Sequence, residues 1–309
     1  MKKLVTAFIF FSISATTLFA HVSLIPGTHS QQTTYKLEKV NGVVYALFGS
    51  GGNIGVSYGD DGLMTIDTQF ERNVVGIKEA LSKLGTDKPR FVFNTHYHGD
   101  HTGGNVLFGN DALIIAQDNV RYRLLNPGPG RDGAPGVPMA KQGLPMITYD
   151  KSVALHINGE KVKALHFPSG HTDGDTVIFF TTSNVVHLGD DFFVGRFPYV
   201  DLGSGGSVNG LIDNIGKLLG MIPVDAKLIP GHGPVSTIED LRAYHSMLVS
   251  TTLYVRKMMK EGKTLDEIKK AGLPAEFKSW APEGSFINEE RWIETIFNSY
   301  QPKVEMKKG

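Results

Sequence analysis

The most informative absence in this 309-residue sequence is cysteine, which does not occur at all. Without thiols, the chain can form no disulfide, and it offers neither a thiolate nucleophile nor a thiolate metal ligand. Its stability therefore has to come mainly from a hydrophobic core. Any metal site has to be built from histidine and carboxylate side chains.

An excess of charge of one sign is also lacking. Lysine plus arginine and aspartate plus glutamate both number 31, so the formal net charge is zero. A balanced chain has no electrostatic field that would attract nucleic acid or an anionic membrane. The sequence shows no repeat at the periods of solenoid proteins. We therefore expect a globular protein with no nucleic-acid partner.

The first twenty residues, MKKLVTAFIFFSISATTLFA, have the pattern of a signal peptide. Two lysines precede an apolar stretch at 4–19, and Ala20 is a small residue suited to cleavage. The stretch is too short and too rich in serine and threonine for a membrane span. We therefore expect a periplasmic or secreted protein without stable membrane insertion, whose mature chain begins near His21.

From Tyr35 onward, strand patterns alternate with helix patterns. Strands are predicted at YKLEKVNGVVYALFGS, NIGVSY, LMTID, RFVFN, ALIIA, SVALHI, KVKALHF, TVIFF, NVVHL and AKLIP. Helical spacing occurs at 70–84, after Ser207 as an N-cap, and from about 236 to 260. Strands in two groups with interleaved helices predict a layered α/β fold. We divide the chain into a signal peptide (1–20), a main domain (21–260) and a C-terminal helical extension (261–309).

One segment interrupts these patterns. Ten of the twenty positions at 126–145 are proline or glycine, which predicts a loop without regular structure. Such a loop is either an exposed connector or a flap over an active site. The sequence alone leaves both interpretations open.

Side chains that bind metals are concentrated in short turns after apolar strands. NTHYHGDHTGGN at 94–105 places three histidines and an aspartate within six positions, and PSGHTDGDT, LGDD and PGHGP each add one candidate. Histidine is the commonest ligand for zinc, and turns at one edge of a sheet lie side by side. The seven candidate ligands are His96, His98, Asp100, His101, His171, Asp190 and His232. The other six histidines are interpreted as packed or solvated.

The order of these motifs resembles the metallo-β-lactamase superfamily. HYHGDH is followed by GHT, LGD and PGHG at similar separations, and the resemblance extends from about Tyr35 to Leu248. It implies an αββα sandwich with a two-metal site at one edge of its sheets, and a main domain that is catalytic. The implied ligands are His96, His98 and His171 for the first metal and Asp100, His101 and His232 for the second, with Asp190 bridging the two. Zn²⁺ is expected at both positions, with iron or manganese as alternatives.

The chemistry implied by this resemblance is hydrolysis. Two metal ions about 3.5–4 Å apart lower the pKa of a shared water and polarise the bond under attack. They would deliver hydroxide to a carbonyl or phosphoryl centre. Asp100 is the candidate catalytic residue, because it can hold its metal and orient the hydroxide. Asp67, at the end of LMTID, resembles an aspartate that supports the ligand loop in this family.

The subfamily depends on position 190. One group of the lactamases has cysteine there and a second typically has no metal ligand, whereas aspartate resembles glyoxalase II, lactonases and related hydrolases. The main hypothesis is an exported dinuclear zinc hydrolase that attacks an ester, lactone, thioester or amide carbonyl of a small molecule. Three alternatives stay open: a periplasmic metallo-β-lactamase acting on β-lactam antibiotics, a mono-iron persulfide dioxygenase using His96, His171 and Asp190, and a non-enzymatic metal-binding accessory protein.

The substrate is the least determined part of this hypothesis. Loops between the ligand turns should line the pocket, and the candidates are Phe192, Phe193, Arg196 and Tyr199. Aromatic walls with one arginine would suit a partly apolar acid. The same side chains could instead pack the glycine-rich loop that follows. The sequence does not indicate an oligomeric state.

Overall fold

Two β-sheets form the centre of the protein in a computed structural model that describes residues 34–129 and 133–301. The predicted signal peptide and the expected new terminus at His21 lie outside the described residues. The first sheet has seven strands in sequence order: β1 (Lys36–Asn41), β2 (Val44–Phe48), β3 (Ile54–Gly59), β4 (Gly62–Ile66), β5 (Phe91–Phe93), β6 (Leu113–Gln117) and β7 (Ile147–Tyr149). Strands β1 to β4 are antiparallel, and β4 to β7 are parallel.

The second sheet has five strands in the order β12-β11-β10-β9-β8. Their bounds are β8 (Ser152–Ile157), β9 (Glu160–His166), β10 (Thr176–Phe180), β11 (Val185–Phe193) and β12 (Lys227–His232). Strands β8 to β11 are antiparallel, and β12 runs parallel to β11. The carboxyl ends of β11 and β12, which carry two predicted ligands, therefore lie at the same edge.

The two sheets pack face to face through one hydrophobic cluster. Met64, Ile66 and Phe93 from the first sheet and Ile178 and Phe180 from the second are all buried in it. Burying a side chain of this size stabilises a fold by about 1.5–3 kcal/mol. The inner layer is thus held by apolar residues, which in β4 and β10 alternate along the strand.

Helices cover the outer faces of both sheets. The helices are α1 (Val74–Ser82), α2 (Gly99–Thr102), α3 (Asn105–Phe108), α4 (Asp118–Leu125), α5 (Val208–Met221), α6 (Ile238–Lys260), α7 (Leu265–Ala271) and α8 (Glu289–Ser299). Helix α1 packs on the first sheet through Ile77 and Leu81, and α5 and α6 pack on the second through Leu211, Ile215 and Leu248. This is the predicted αββα sandwich, and the fold class is confirmed.

Helix boundaries follow the predicted capping chemistry with small shifts. The Ser207 side chain accepts from the backbone N–H of Gly210, as expected for an N-cap of α5. Helix α6 begins after Thr237, which forms a capping box with Asp240. The 70–84 pattern becomes a 3₁₀ turn at Glu71–Asn73 followed by α1, because helical spacing does not distinguish the two in the first turn.

The C-terminal segment is more deeply integrated than an external extension. Trp292, Ile293 and Ile296 of α8 are fully buried in the same cluster as α5 and α6. The indole N–H of Trp292 donates to Thr251 Oγ1 of α6 at 3.0 Å. Residues beyond 260 therefore complete the outer layer of the second sheet. In the described part of the chain, no helix is long and apolar enough to cross a membrane.

Candidate metal centre

Loops from both sheets meet at one edge of the sandwich. The backbone N–H of Thr176, which begins β10, donates to the carbonyl of Thr95 just after β5 at 2.8 Å. The N–H of Asn53 donates to the carbonyl of Gly231 near the end of β12 at 2.7 Å. The first bond joins the turn after β5 to the second sheet, and the second bond joins the segment before β3 to the same sheet, so the predicted ligand turns lie next to one another.

All seven predicted ligands are brought together there, in two groups of potential ligand atoms. His96, His98, His171 and Asp190 form one group, and Asp100, His101 and His232 form the other. Within the groups, His98 Nδ1 lies 2.9 Å from His171 Nε2, and His232 Nε2 lies 3.3 Å from Asp100 Oδ2. Donor atoms of a tetrahedral zinc with bonds of about 2.1 Å lie about 3.4 Å apart. The spacing therefore suits metal ligation.

Asp190 stands between the two groups. Its Oδ1 lies 3.0 Å from His101 Nε2, while its Oδ2 lies 3.6 Å from His171 Nε2 and 3.4 Å from His232 Nε2. The sequence suggested that Asp190 follows a strand, but it lies inside β11, where the pairing with β12 shifts register at Gly189. Gly189 has a φ of +52°, which a side chain would strain.

Three buried polar atoms support a metal in this position. His96 Nε2, His101 Nε2 and Asp190 Oδ1 are inaccessible to solvent and make no hydrogen bond with the described residues. Leaving a buried polar atom unpaired costs about 1–3 kcal/mol, so native proteins rarely do so without a ligand. His96 Nε2 lies 3.9 Å from Asp190 Oδ2, and His101 Nε2 lies 3.0 Å from Asp190 Oδ1 without forming a hydrogen bond, so metal ions between the two groups would satisfy all three atoms.

The protonation of the two groups differs. Burial lowers the pKa of His171 to about 4 and holds the pKa of His96 well below its usual value, so both imidazoles are neutral. Burial opposes protonation of His232 as well, but the carboxylates of Asp190 and Asp100 raise its pKa to about 9. A metal ion in the second group has to displace that proton, whereas His96 and His171 in the first group have no proton to displace from the nitrogen that binds.

Asp67 orients the His101 ring through Nδ1, the ring nitrogen that does not face Asp190. His101 Nδ1 lies 2.7 Å from Asp67 Oδ2, and Asp67 also accepts from the N–H and hydroxyl of Thr95 at 2.8 and 2.7 Å. Asp67 is fully buried and has a φ of +67°, an unfavourable backbone conformation maintained by these bonds. The structure thus places Asp67 as a support of the ligand loop, as the resemblance implied.

Asp201 orients His98 in the same way, and no pattern in the sequence indicated this contact. Asp201 Oδ2 lies 3.0 Å from His98 Nε2 and accepts from the hydroxyl of Tyr97 at 2.6 Å. Burial alone would raise the pKa of Asp201, but hydrogen bonds from His98 and Tyr97 lower it below the usual range. A lone aspartate in the glycine-rich stretch DLGSGG has no spacing relation to the histidines, so only the fold brings it there.

The contact between Asp201 and His98 leads to a test of metal affinity. Asp201→Asn removes the charge that accepts from His98, so the imidazole loses its fixed orientation. We expect metal affinity to fall by about 10–100-fold, as is usual for a partner of a ligating histidine. Competition with a chromogenic chelator measures it, with the exposed Asp213→Asn as control. Equal affinity of Asp201→Asn and wild type would show that His98 needs no such support.

A cavity of about 870 Å³ opens onto both groups of ligands. Asp100, Asp190 and His232 line it, and so do residues 126–129 of the proline- and glycine-rich loop. Residues 285–287, just before α8, also line the cavity. The loop thus contributes to the site, as the flap interpretation expected, and a volume of this size suits a small-molecule substrate.

Three of the four predicted substrate residues line this cavity. Phe193, Arg196 and Tyr199 do so, and the Phe193 ring stacks on His232 with centroids 5.3 Å apart. Phe192 does not line the cavity, and this corrects the prediction. It is buried on the other face of β11 against Tyr244, because neighbouring residues of a strand point to opposite faces.

Comparisons with known proteins agree with this arrangement. A model of the metallo-beta-lactamase superfamily matches residues 52–268. Hydroxyacylglutathione hydrolases from Nitrosococcus oceani and from Synechococcus sp. are 30% and 26% identical to this chain over 142 residues. Each match covers 46% of this chain, and 47% and 50% of those relatives, so the chain spans about half the length of the curated relatives it matches.

Solved structures share the fold at lower identity. A metallo-beta-lactamase from Pontibacter korlensis is 15% identical with a TM-score of 0.57, covering 70% of this chain and 99% of that one. The DIM-1 metallo-beta-lactamase is 17% identical with a TM-score of 0.57, covering 70% and 98%. The family model covers most of the chain, and the fold and the convergent ligand groups agree with it. This chain therefore belongs to the metallo-β-lactamase superfamily.

Proposed function

We propose that this protein is an exported dinuclear zinc hydrolase that cleaves an ester, lactone, thioester or amide carbonyl of a small molecule. The observation that carries the proposal is the position of Asp190, which faces both ligand groups within 3.6 Å. A carboxylate has two oxygens and can serve two ions at once. Two metals are therefore favoured over one.

The ligand chemistry supports zinc. Each group combines imidazoles with a carboxylate, which zinc accepts in tetrahedral sites. A mono-iron dioxygenase would need only His96, His171 and Asp190. The third imidazole of His98 and the complete second group would then have no role. Metal analysis of the purified protein separates the two: about two zincs per chain supports the hydrolase, and a single iron with oxygen uptake supports the dioxygenase.

Residues around the metal centre determine how a carbonyl substrate and the attacking water would be positioned. Metal ions bound there supply an activated water and polarise the carbonyl oxygen. Asp100 lines the cavity and stays ionised: burial alone would raise its pKa, but His101 and His232 together outweigh burial and lower the pKa of Asp100 to about 2. Its carboxylate can therefore hold a nucleophilic water in line with the carbonyl. Phe193 packs behind His232 and limits where that ligand can move.

Two kinds of similarity, one in sequence and one in fold, bear on which carbonyl substrate should be tested first. Hydroxyacylglutathione hydrolases act on a thioester by their name, and they are the sequence relatives reported above. The solved lactamases resemble this chain in fold, at identities too low to carry their substrate. Carbonyl esters and thioesters are therefore the first substrates to test, with β-lactams as the second candidate.

A hydrolysis panel on the purified zinc-loaded protein tests this function. We expect turnover of at least one ester, thioester or lactone, and loss of that turnover when a chelator removes zinc. Selective turnover of β-lactams would instead establish the lactamase alternative. Two bound zincs with no turnover of any substrate would contradict the enzyme proposal and favour a metal-binding accessory protein.

Export is the part of the proposal that depends on residues 1–33, outside the described part of the chain. It is supported by the basic, apolar and small-residue order of the first twenty residues. We expect N-terminal sequencing of protein from the periplasmic or secreted fraction to begin near His21. Recovery of the full-length chain with Met1 only from membranes or cytoplasm would contradict it.

A further inference from the structure

Two imidazoles of the first ligand group come from different turns of the chain. His98 belongs to the turn at 94–105 and His171 to the turn at 168–176, yet His98 Nδ1 lies 2.9 Å from His171 Nε2. A metal ion binds both nitrogens only if the two turns keep this spacing, since ligand distances in a metal site vary by only about 0.2 Å. Residues that hold the two turns together therefore bear on metal binding.

The side chain of Arg123, on helix α4, contacts both turns. Its Nε donates to Asp173 Oδ1 at 2.7 Å, and its Nη2 donates to Asp173 Oδ2 at 2.6 Å. Asp173 follows His171 by two residues. The guanidinium carbon also lies 5.6 Å from the centroid of the Tyr97 ring, within the range of a cation–π contact, and Tyr97 directly precedes His98. One cation thus bridges the turns that carry His98 and His171.

Further contacts fix Asp173 against α4. The Asn119 side-chain amide donates to the carbonyl of Asp173 at 2.9 Å, and the N–H of Asp173 donates to the carbonyl of Ser204 at 3.0 Å. Gly174 packs so closely on α4 that a Cβ atom there would lie 3.0 Å from Val120 Cγ2. The turn after β9 and the helix therefore form one packed unit.

Tyr97 transmits its position to His98. Its hydroxyl donates to Asp201 Oδ2 at 2.6 Å, and the same oxygen lies 3.0 Å from His98 Nε2. Ser204 Oγ lies 2.8 Å from the Tyr97 hydroxyl, which adds a second anchor for the phenol. Because the guanidinium of Arg123 lies over the phenol ring, it limits the movement of the hydroxyl and of the Asp201 carboxylate that accepts from it.

We propose that Arg123 is a positioning residue of the metal centre, which fixes His98 relative to His171 without being a ligand itself. The inference rests on the metal site of the proposed function and does not depend on which carbonyl is hydrolysed. A guanidinium fork matches two carboxylate oxygens in one plane, so the pair with Asp173 fixes an orientation as well as a charge. Ligands that are held in place beforehand lose less entropy when the metal binds.

The effect should be confined to the first ligand group and to metal binding. His101, in the second group, is held by Asp67 instead, with its Nδ1 2.7 Å from Asp67 Oδ2. The pair of Arg123 and Asp173 is partly exposed, with side-chain exposures of 22% and 26%, and such pairs contribute little to folding stability. A change at Arg123 should therefore weaken metal binding more than it destabilises the metal-free fold.

Zinc affinity of variants at position 123 tests this assignment. Arg123→Met removes the charge and the fork but keeps an unbranched side chain. We expect its zinc affinity to fall by about 10-fold, the lower end for residues that orient a ligating histidine. Arg123→Lys keeps the charge but loses the fork, so it should retain part of the affinity. Competition with a chromogenic chelator measures it, and Arg242→Met, at an exposed position of α6, is the matched control.

Two further measurements separate positioning from a general loss of structure. The visible absorption of the cobalt-substituted protein depends on coordination geometry, so it should change in Arg123→Met and stay the same in the control. Arg123→Met combined with Asp173→Asn should lose no more zinc affinity than Arg123→Met alone, because both changes remove the same contact.

Wild-type zinc affinity and cobalt absorption in Arg123→Met would overturn the assignment, and so would additive losses in the double variant. Unfolding of the metal-free Arg123→Met protein under conditions where metal-free wild type is folded would overturn it too, since a structural role would then explain the loss of zinc. None of these measurements uses turnover, so the hydrolase proposal stands if they fail. Absence of zinc binding by wild type would overturn both.

Discussion

His96→Ala is expected to abolish turnover and to remove metal from the protein. The His96 ring lies at the centre of the site, with ring centroids 4.8 Å from His98, 4.2 Å from His101 and 4.6 Å from His171. Its Nε2 is one of the buried atoms without a hydrogen bond, so a metal is the partner it is placed to bind. Alanine removes a whole ligand from the first group.

The loss of metal affinity in His96→Ala should exceed the loss caused by removing a residue that only orients a ligating histidine. Removing a partner of a ligating histidine typically costs about 10–100-fold in metal affinity, and a direct ligand is worth more. Zinc content per chain and kcat/KM are measured together, with thermal unfolding of the metal-free proteins to confirm that the fold persists. His156→Ala is the control, because His156 is exposed on β8 away from the cavity. A His96→Ala protein with full metal content and normal rates would contradict the assigned site.

The ligands of the turn at 94–105 could be predicted from the sequence because they lie close together along the chain. His96, His98, Asp100 and His101 lie within six positions, and their turn follows a strand whose apolar pattern is unmistakable. His171 follows β9, and Asp190 and His232 lie near the carboxyl ends of β11 and β12, so their convergence at one sheet edge could be anticipated from the apolar strand patterns. The parallel pairing of β11 and β12 is what places Asp190 and His232 side by side.

Other features needed the three-dimensional structure. Phe192 and Phe193 are equally apolar, and only the strand register decides that Phe193 faces His232 while Phe192 enters the core. Phe286 comes from a segment far along the chain, beyond the boundary placed at 260. No periodicity connects such residues to the histidines. Long-range packing, here the burial of α8 against α6, decides what lines the cavity.

The second large effect is expected from Asp190→Asn. Asp190 is buried, and burial alone would raise its pKa, yet the nearby charges of His101 and His232 keep that pKa well below the usual range. The side chain is therefore a carboxylate, with its oxygens directed at both ligand groups. Asparagine has nearly the same size, but it is neutral and has only one oxygen to offer.

Asp190 also occupies a position that leaves no room for adjustment. A Cβ atom at Gly231 would overlap Asp190 Oδ1, so the β12 backbone closes against the carboxylate. Asparagine can fill this space without unfolding the chain, because the volume is conserved. The substitution therefore tests charge and ligation separately from packing, which a change to alanine would not.

Metal content per chain and kcat are the measurements for this variant. We expect binding to weaken in both groups, most strongly in the one formed by Asp100, His101 and His232, and kcat to fall by about 100-fold or more, as when one group that stabilises developing charge is lost. Asp225→Asn, on an exposed turn before β12, is the control. A lactamase-type site that binds its metals without an aspartate at this position should tolerate the change. If Asp190→Asn keeps two zincs and near-normal turnover, Asp190 is not a shared ligand, and the β-lactamase alternative becomes the better explanation of the site.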